Sequence, residues 1–333
     1  MIVAILIQTD RFKITMNDTI KIKPKYNFQY KPVRVCIPIG MACNLKCKYC
    51  MRYAGKIREP KGLSDMMIEF LKQLDPAQTE AVIINGGEPL LYQDRIKQVF
   101  DLVPKQIHKA VMTNGTLLTQ EFVDYLNSID GELHFSHEGL ASKQLKGLDV
   151  LEDPKIVDLL NQVKIMRLYT IVTSYNPDVL ANFEYIHKYV NKVPKLWYTP
   201  FPMFSFTNAN HDLHQQFDYD VYGRSLIELW RKYPNFVSRS EHHARYTRNN
   251  GFVITPIGDV CSLCTLRKYG TVLDTKDQLK SVAQSLGEYD QCDNTDCSMR
   301  EYCVMAKQLA DPFTCEAQRT HLKAINYLRS FNV

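Results

Sequence analysis

Two periods alternate along the chain between residues 33 and 233. Compact apolar runs of five to seven residues suit buried strands: "VRVCIPI" (33–39), "EAVIIN" (80–85), "KAVMT" (109–113), "ELHFS" (132–136), "LYTIVTS" (168–174) and "KLWYTPF" (195–201). Between them apolar residues recur at helical spacing, as in Met67, Phe70, Leu71 and Leu74, then Ile96, Val99, Phe100 and Val103, then Phe122, Tyr125, Leu126 and Ile129. Val179, Phe183, Ile186 and Val190 continue the pattern in a different phase. Ser64 before Asp65, Thr119 before Gln120 and Glu121, and Asn176 before Pro177 offer helix starts, because a short polar side chain can accept a bond from a free N–H of the first turn.

Six strand–helix units predict an α/β fold with a parallel sheet and right-handed crossovers, open or partly closed as a barrel. In such folds ligands gather at the carboxyl ends of the strands. Four segments fall there: the loop "GMACNLKCKYC" after the first strand, "NGGEP" after the second, "TNG" after the third and Ser136 closing the fourth.

The flanks differ from this body. Residues 1–32 hold two short alternating stretches, "VAILIQ" and "DTIKIKP", that read as a strand extension. After residue 234 the apolar runs become short and Gly-punctuated ("GFVITPIGDVCSLC", "YGTVLD"), and the final helical stretch sets Ala324, Tyr327, Leu328 and Phe331 on one face. The expected division is therefore 1–32 as an N-terminal extension, 33–233 as the main domain and 234–333 as a small cysteine-rich domain.

Composition narrows the classes. The chain has 333 residues, 45% hydrophobic and 23% charged, enough to bury a sizeable core. Its 41 basic and 36 acidic residues leave a net charge of +5 without any long block of one sign, so no nucleic-acid footprint is expected. The apolar start "MIVAILIQTD" lacks a basic leader and a cleavage site, and no apolar run approaches the ~20 residues of a membrane span. The reading is a cytoplasmic chain without membrane partners. In a reducing compartment its ten cysteines are expected as metal ligands or catalytic groups rather than disulfides.

Cys43, Cys47 and Cys50 have the spacing C-x3-C-x2-C. Three thiolates in eight residues can converge on one metal centre. Zinc takes four protein ligands, or three and a water, whereas each iron of a four-iron cube asks for one outer ligand, so three cysteines leave one iron open. From spacing alone a structural zinc and a ferredoxin-like electron carrier both stay open. With Tyr49 directly before the last cysteine, "GGEP" at 86–89 and "TNG" at 113–115, residues 33–201 resemble the radical S-adenosylmethionine (radical SAM) superfamily.

That resemblance implies a partial (β/α)6 TIM-like barrel in which Cys43, Cys47 and Cys50 ligate a [4Fe-4S] cluster whose open iron takes S-adenosylmethionine. One electron then breaks the sulfonium C–S bond, giving a 5'-deoxyadenosyl radical that removes a hydrogen atom from the substrate. The same resemblance assigns Gly86, Gly87 and Glu88 to the methionine amino group, Tyr49 to the adenine, and Ser136 to the ribose or carboxylate. Asn114 is a further cofactor-binding candidate, with a turn role equally open. "FSHEG" departs from the family's S-x-D-G-like strand end, which weakens the transfer to Glu138. Lys143 and Lys146 lie where relatives place a basic residue, yet solvated surface lysines are the favoured reading.

The tail carries Cys261, Cys264, Cys292, Cys297, Cys303 and Cys315. Their arrangement resembles the SPASM/twitch extension, whose auxiliary [4Fe-4S] clusters number one or two. Departures are the C-x4-C-x5-C spacing, the two hairpin cysteines flanking the expected position, and Tyr246 where a cysteine is expected. Six thiols cannot fill eight places, so one complete auxiliary cluster is expected on Cys292, Cys297, Cys303 and Cys315. Cys261 and Cys264 join an incompletely ligated second cluster, replace two of the four, or serve as a redox thiol, which makes Cys264 the catalytic candidate. Zinc, with His242 and His243 in reach of the sequence, is the alternative. Cys36 reads as a buried core thiol.

The resemblance implies modification of a peptide or protein substrate by crosslinking, epimerisation or oxidation. Its expected partners are an electron donor such as flavodoxin or ferredoxin. A first barrel strand at residue 33 leaves no room for a leader-binding domain ahead of it, so a separate recognition protein or the barrel mouth itself would read the substrate. Two alternatives stand: radical SAM chemistry on a small molecule or carbohydrate, and a non-catalytic iron–sulfur or zinc protein.

Overall fold

A computed structural model describes residues 33–50, 63, 65–77, 79–202, 213 and 217–236, together with the backbone of three strands within 251–271. Six strands form as the apolar runs predict: β1 (Val33–Gly40), β2 (Thr79–Gly86), β3 (His108–Thr113), β4 (Glu132–Ser136), β5 (Ile165–Val172) and β6 (Lys195–Pro202). They pair in sequence order and all in parallel. Helices α1 (Asp65–Lys72), α2 (Gln93–Leu102), α3 (Gln120–Ser128), α4 (Ser142–Lys146), α5 (Pro154–Leu160), α6 (Val179–Tyr189) and α7 (Tyr219–Lys232) fill the connections.

Strand alternation divides the side chains between two faces. Val35, Ile37, Ile39, Val82, Ile84, Val111, Leu133, Phe135, Met166, Leu168 and Val172 pack against helix residues such as Leu71, Val99, Phe122 and Phe183 in the main core. On the opposite, inner face of β1–β3, Cys36, Ala81, Ile83 and Ala110 form a second buried cluster. On β4–β6 that face turns polar and aromatic, with Glu132, His134, Arg167, Tyr169 and Trp197.

Two local expectations are corrected. Asn176 does not cap α6: it is buried, accepts from Thr173 and donates to the carbonyls of Glu138 and Ile171, while Asp178 accepts the N–H of Ala181 and starts the helix two residues later. Strand β5 begins at Ile165, ahead of the apolar run, because Arg167 projects from the inner face onto Glu132 and does not interrupt the strand. Thr119 caps α3 as expected, accepting the N–H of Phe122. Ser64 lies outside the described residues.

Near residue 234 the chain stays on the barrel: the rings of Tyr233 and Phe236 pack on Phe183, and the Tyr198 N–H donates to the Phe236 carbonyl. β7 (Gly251–Ile254) then joins β1 in parallel and extends the sheet, and β8 (Asp259–Ser262) and β9 (Lys268–Thr271) follow antiparallel. Cys261 lies in β8, opposite Val253. Among the described residues no helix is long and apolar enough to cross a membrane.

Candidate functional site

The loop carrying Cys43, Cys47 and Cys50 leaves β1 at the carboxyl end of the sheet, and each of the three cysteines is half-buried. Three neighbouring strand ends hold it. From β2, the N–H groups of Gly87 and Glu88 donate to the carbonyls of Gly40 and Ala42 at 2.9 and 2.8 Å. From β3, Asn114 Nδ2 donates to Asn44 Oδ1 at 3.0 Å, while Asn44 Nδ2 donates to Thr116 Oγ1 at 2.7 Å. Beyond β4, the carbonyl of Leu145 in α4 accepts the N–H of Lys48 at 2.9 Å.

Two glycines make the first contact possible. A Cβ on Gly87 would stand 2.1 Å from the Ala42 carbonyl oxygen, and one on Gly86, which has φ +141°, would stand 2.1 Å from that of Gly40. Both positions therefore accept no side chain while the cysteine loop lies across them.

Glu88 is buried, and three protein donors engage its carboxylate: Leu90 N–H and Thr113 Oγ1 on Oε1, and Asn114 N–H on Oε2. Burial pushes its pKa up, against these bonds. Its carboxylate thus clips the ends of β2 and β3 together. Asn114 is likewise committed, its Oδ1 accepting from the N–H and hydroxyl of Thr116 in a side-chain turn.

A charged group faces this clip. Lys146, at the end of α4, is only 7% exposed, and its ammonium pairs with Glu138 Oε2 at 2.8 Å while donating to the Ser136 carbonyl at 2.5 Å. Its expected reading as a solvated surface lysine is therefore corrected, whereas Lys143 is exposed and pairs with Glu152. The other oxygen of Glu138 accepts from Tyr49 at 2.5 Å and from Ser136 Oγ at 3.2 Å. Lys146 acts electrostatically on Cys43, Cys47 and Glu88 as well as pairing with Glu138.

Burial pushes the Cys43 thiol up and the Cys47 thiol up to about 11, with Lys146 opposing the rise. Each of these two thiols also feels the charge of Cys50, so the three sulfurs share one electrostatic neighbourhood. Tyr49 is held well above its usual range by burial and by Glu138. Among the described residues no three His, Cys, Asp or Glu side chains are set around a point that a lone metal ion would fill. Three soft thiols beside a buried cation, with no fourth ligand among the described residues, fit an iron–sulfur cube with one open iron and an anionic ligand.

Behind Glu138 runs a chain of bonds that sequence reasoning missed. Tyr185 donates to Asp149 Oδ2 at 2.6 Å, and Asp149 Oδ1 stands 2.9 Å from His137 Nε2. Gly139 N–H donates to His137 Nδ1, so the ring proton sits on Nε2, facing Asp149. Ser142 Oγ lies 3.2 Å from the His137 ring and accepts the Glu138 N–H. Lys146 had one local signal: Gly147, at φ +86°, ends α4 and fixes the position of the residue before it.

The structure brings Cys43, Cys47, Cys50, Tyr49, Gly86, Gly87, Glu88, Asn114 and Ser136 to one end of the sheet. Cys264, Cys292, Cys297, Cys303 and Cys315 lie outside the described residues, as do His242, His243 and Tyr246, and of Cys261 the backbone alone is described.

Residues 37–196 match the Radical SAM superfamily. The serine-type anaerobic sulfatase-maturating enzyme of Bacteroides thetaiotaomicron is 27% identical over 191 residues, which are 48% of this chain and 44% of that protein. The chain thus spans less than half the length of this relative. Among solved structures, anSMEcpe with bound AdoMet is similar with a TM-score of 0.65 at 17% identity, covering 91% of this chain and 99% of that one. Streptococcus suis SuiB bound to precursor peptide SuiA is similar with a TM-score of 0.54 at 17% identity, over 69% of this chain and 58% of that one. These two likenesses establish the fold, a TIM-like partial barrel.

Proposed function

We propose, from the match of residues 37–196 to the Radical SAM superfamily, that this chain cleaves S-adenosylmethionine reductively and modifies a peptide or protein substrate. The observation that carries the reading is the three-thiol loop, fastened on three sides and facing a buried Lys146–Glu138 pair. Bound there, a [4Fe-4S] cluster and S-adenosylmethionine supply one-electron cleavage of the sulfonium C–S bond.

The chain's own residues do the rest. Cys43, Cys47 and Cys50 hold the cluster, and the cysteine loop keeps its shape because Gly86 and Gly87 admit its carbonyls at contact distance. Lys146 offers a cation to the carboxylate of S-adenosylmethionine, and Glu138 an anion to its ammonium, each exchanging a protein partner for a ligand one. Ser136 and Tyr49 hold Glu138 in place from the other side. Glu88 and Asn114 serve as positioning residues, since their side chains are taken up by protein donors and acceptors.

The peptide reading draws on the names of the sulfatase-maturating relative and of the SuiB–SuiA complex. It also draws on the rim, where Leu140 is 64% and Tyr175 45% exposed and the Lys48 ammonium lies 5.9 Å from the Tyr175 ring centre. Within this proposal residues 234–333 form the auxiliary unit, with one or two further [4Fe-4S] clusters on Cys261, Cys264, Cys292, Cys297, Cys303 and Cys315. A flavodoxin or ferredoxin delivers the electrons.

The test is anaerobic reconstitution with iron and sulfide quantitation, then reduction in the presence of S-adenosylmethionine. Release of 5'-deoxyadenosine by the native chain, lost together with iron in a variant lacking Cys43, Cys47 and Cys50, is expected. Iron-free protein with stoichiometric zinc at these cysteines refutes the proposal. Deuterium passing from a labelled peptide into 5'-deoxyadenosine separates peptide from small-molecule substrates.

A further inference from the structure

The inner face of the sheet holds a second polar cluster, which the cofactor site does not use. Met112, His134, Arg167 and Trp197 are successive partners across β3–β6 and so share one row. Asn85 pairs with Pro38 and follows Ile84, whose partner is Val111, so it lies beside Met112 in the same row. Glu132, one row below His134, accepts from Arg167 Nε at 2.8 Å and lies 2.7 Å from His108 Nε2 and 3.1 Å from His134 Nε2.

Burial pushes the Glu132 carboxyl up, but His134, His108 and Arg167 together hold it well below the usual carboxylate range, so it is an acceptor alone. The proton of the His134 ring therefore sits on Nε2. Burial pushes the His134 imidazole down, toward the neutral form, with Glu132 opposing it; in the neutral ring Nδ1 carries a bare lone pair. That atom is buried and has no hydrogen-bond partner among the described residues, and His134 itself is 4% exposed. Asn85 Oδ1, on a residue 7% exposed, is in the same condition.

Two acceptors without donors in one buried row are costly unless something supplies the donors. Arg167 gives neither of them a bond: its Nε donates to Glu132, and its guanidinium carbon stands 5.3 Å from the Trp197 ring centre. An anion would meet the lone pair of Nδ1 and be repelled. We propose that this row binds a neutral hydrogen-bond donor of the substrate, a hydroxyl or amide N–H, with His134 Nδ1 as the acceptor that selects it and Asn85 as a second acceptor. The inference rests on the radical SAM reading for its place beside the reacting site, and assigns His134 a specificity role.

Trp197 reports binding, because the chain has two tryptophans and Trp230→Phe isolates its emission. The reconstituted protein is titrated with N-acetylserinamide, N-acetylalaninamide and acetate. Saturable changes with the two amides and none with acetate are expected. His134→Asn, which returns an amide oxygen near the position of Nδ1, keeps the binding. His134→Gln, which keeps the contact to Glu132 but not the acceptor, and His134→Phe weaken it about tenfold, the worth of one hydrogen bond. Asn85→Ala, which leaves the Glu132 cluster untouched, weakens it as well. Equal binding of acetate, unchanged binding in His134→Gln and Asn85→Ala, or no response to any probe overturns the proposal. Substrate-free release of 5'-deoxyadenosine by the native chain, measured separately, decides the radical SAM reading alone.

Discussion

Two buried glutamates at the mouth of the barrel solve the same problem in opposite ways. Glu88 is surrounded by uncharged donors, two backbone N–H groups and one hydroxyl, all from the ends of β2 and β3. Glu138, fully buried, is balanced by the ammonium of Lys146, with Tyr49 and Ser136 on its other oxygen. Neutral backbone donors fix a carboxylate for good, whereas a mobile ammonium on a four-carbon stem can turn to another anion. The β1–β3 side of the mouth is therefore a clip that shapes the cysteine loop, and the β4 side holds the charge pair that the proposed function offers to a zwitterionic ligand.

The largest effect separates these two designs. Lys146→Met leaves Glu138 buried without a counter-charge, which costs about 3–5 kcal/mol, and the double variant with Glu138→Gln recovers much of that. A chemical-denaturation series on the single and double variants checks this. Loss of stability in Lys146→Met that Glu138→Gln fails to relieve would mean the two side chains act independently.

Next comes the clip. Gly87→Ala drives a methyl to 2.1 Å from the Ala42 oxygen, and the strain, about 1–3 kcal/mol for overpacking, falls on the loop that carries all three cysteines. Cluster content after reconstitution is expected to drop with stability. Gly147→Ala is the matched control: its φ is +86° but nothing stands within 4 Å, so the cost is confined to the left-handed backbone, about 1–2 kcal/mol, and iron content stays. Equal iron loss in both variants would break the distinction between a contact and a cap.

Glu88→Gln tests whether the clip needs its charge. The amide keeps an oxygen for Leu90 and Thr113 but turns an N–H toward the Asn114 N–H, leaving a buried donor unpaired at about 1–3 kcal/mol. Thermal unfolding of this variant should fall between the lysine variant and the native chain. A native-like melting curve would show that Asn114 finds another acceptor.

Why one side of the mouth was readable from sequence and the other was not follows from the same contrast. "GGEP" and the three cysteines lie in short segments directly after apolar strands, so a local pattern carries them. The resemblance assigns the glycines to the cofactor, yet their tight contacts are with the cysteine loop, a packing that no one-dimensional pattern encodes. Lys146 reads as a surface residue because lysines are rarely buried; its burial depends on Glu138, eight positions earlier, and on the single turn of α4 between them. Arg167 similarly hid the start of β5, since a charged residue inside an apolar run looks like a boundary until Glu132 is seen on the neighbouring strand. Asn176 and Asp178 are both good caps by type, and the buried bonds of Asn176 decided between them.

The smallest predicted effect lies behind Glu138. Although burial pushes it up, bonds from His137 and Tyr185 bring the Asp149 carboxyl down to about 2, against about 4 in an unfolded chain. A folded-state pKa below the unfolded one adds stability that is complete above about pH 4 and disappears as pH falls toward 2. Tyr185→Phe removes one of the three bonds that the carboxylate accepts, the others coming from His137 and the Leu151 N–H; it costs about 1 kcal/mol at neutral pH, and moves the acid limb of the stability curve upward, because the carboxyl then protonates sooner. Melting midpoints at stepped pH, native against variant, measure both terms. Curves that stay parallel down to pH 2 would place the carboxyl's stabilisation wholly on His137 and the Leu151 N–H.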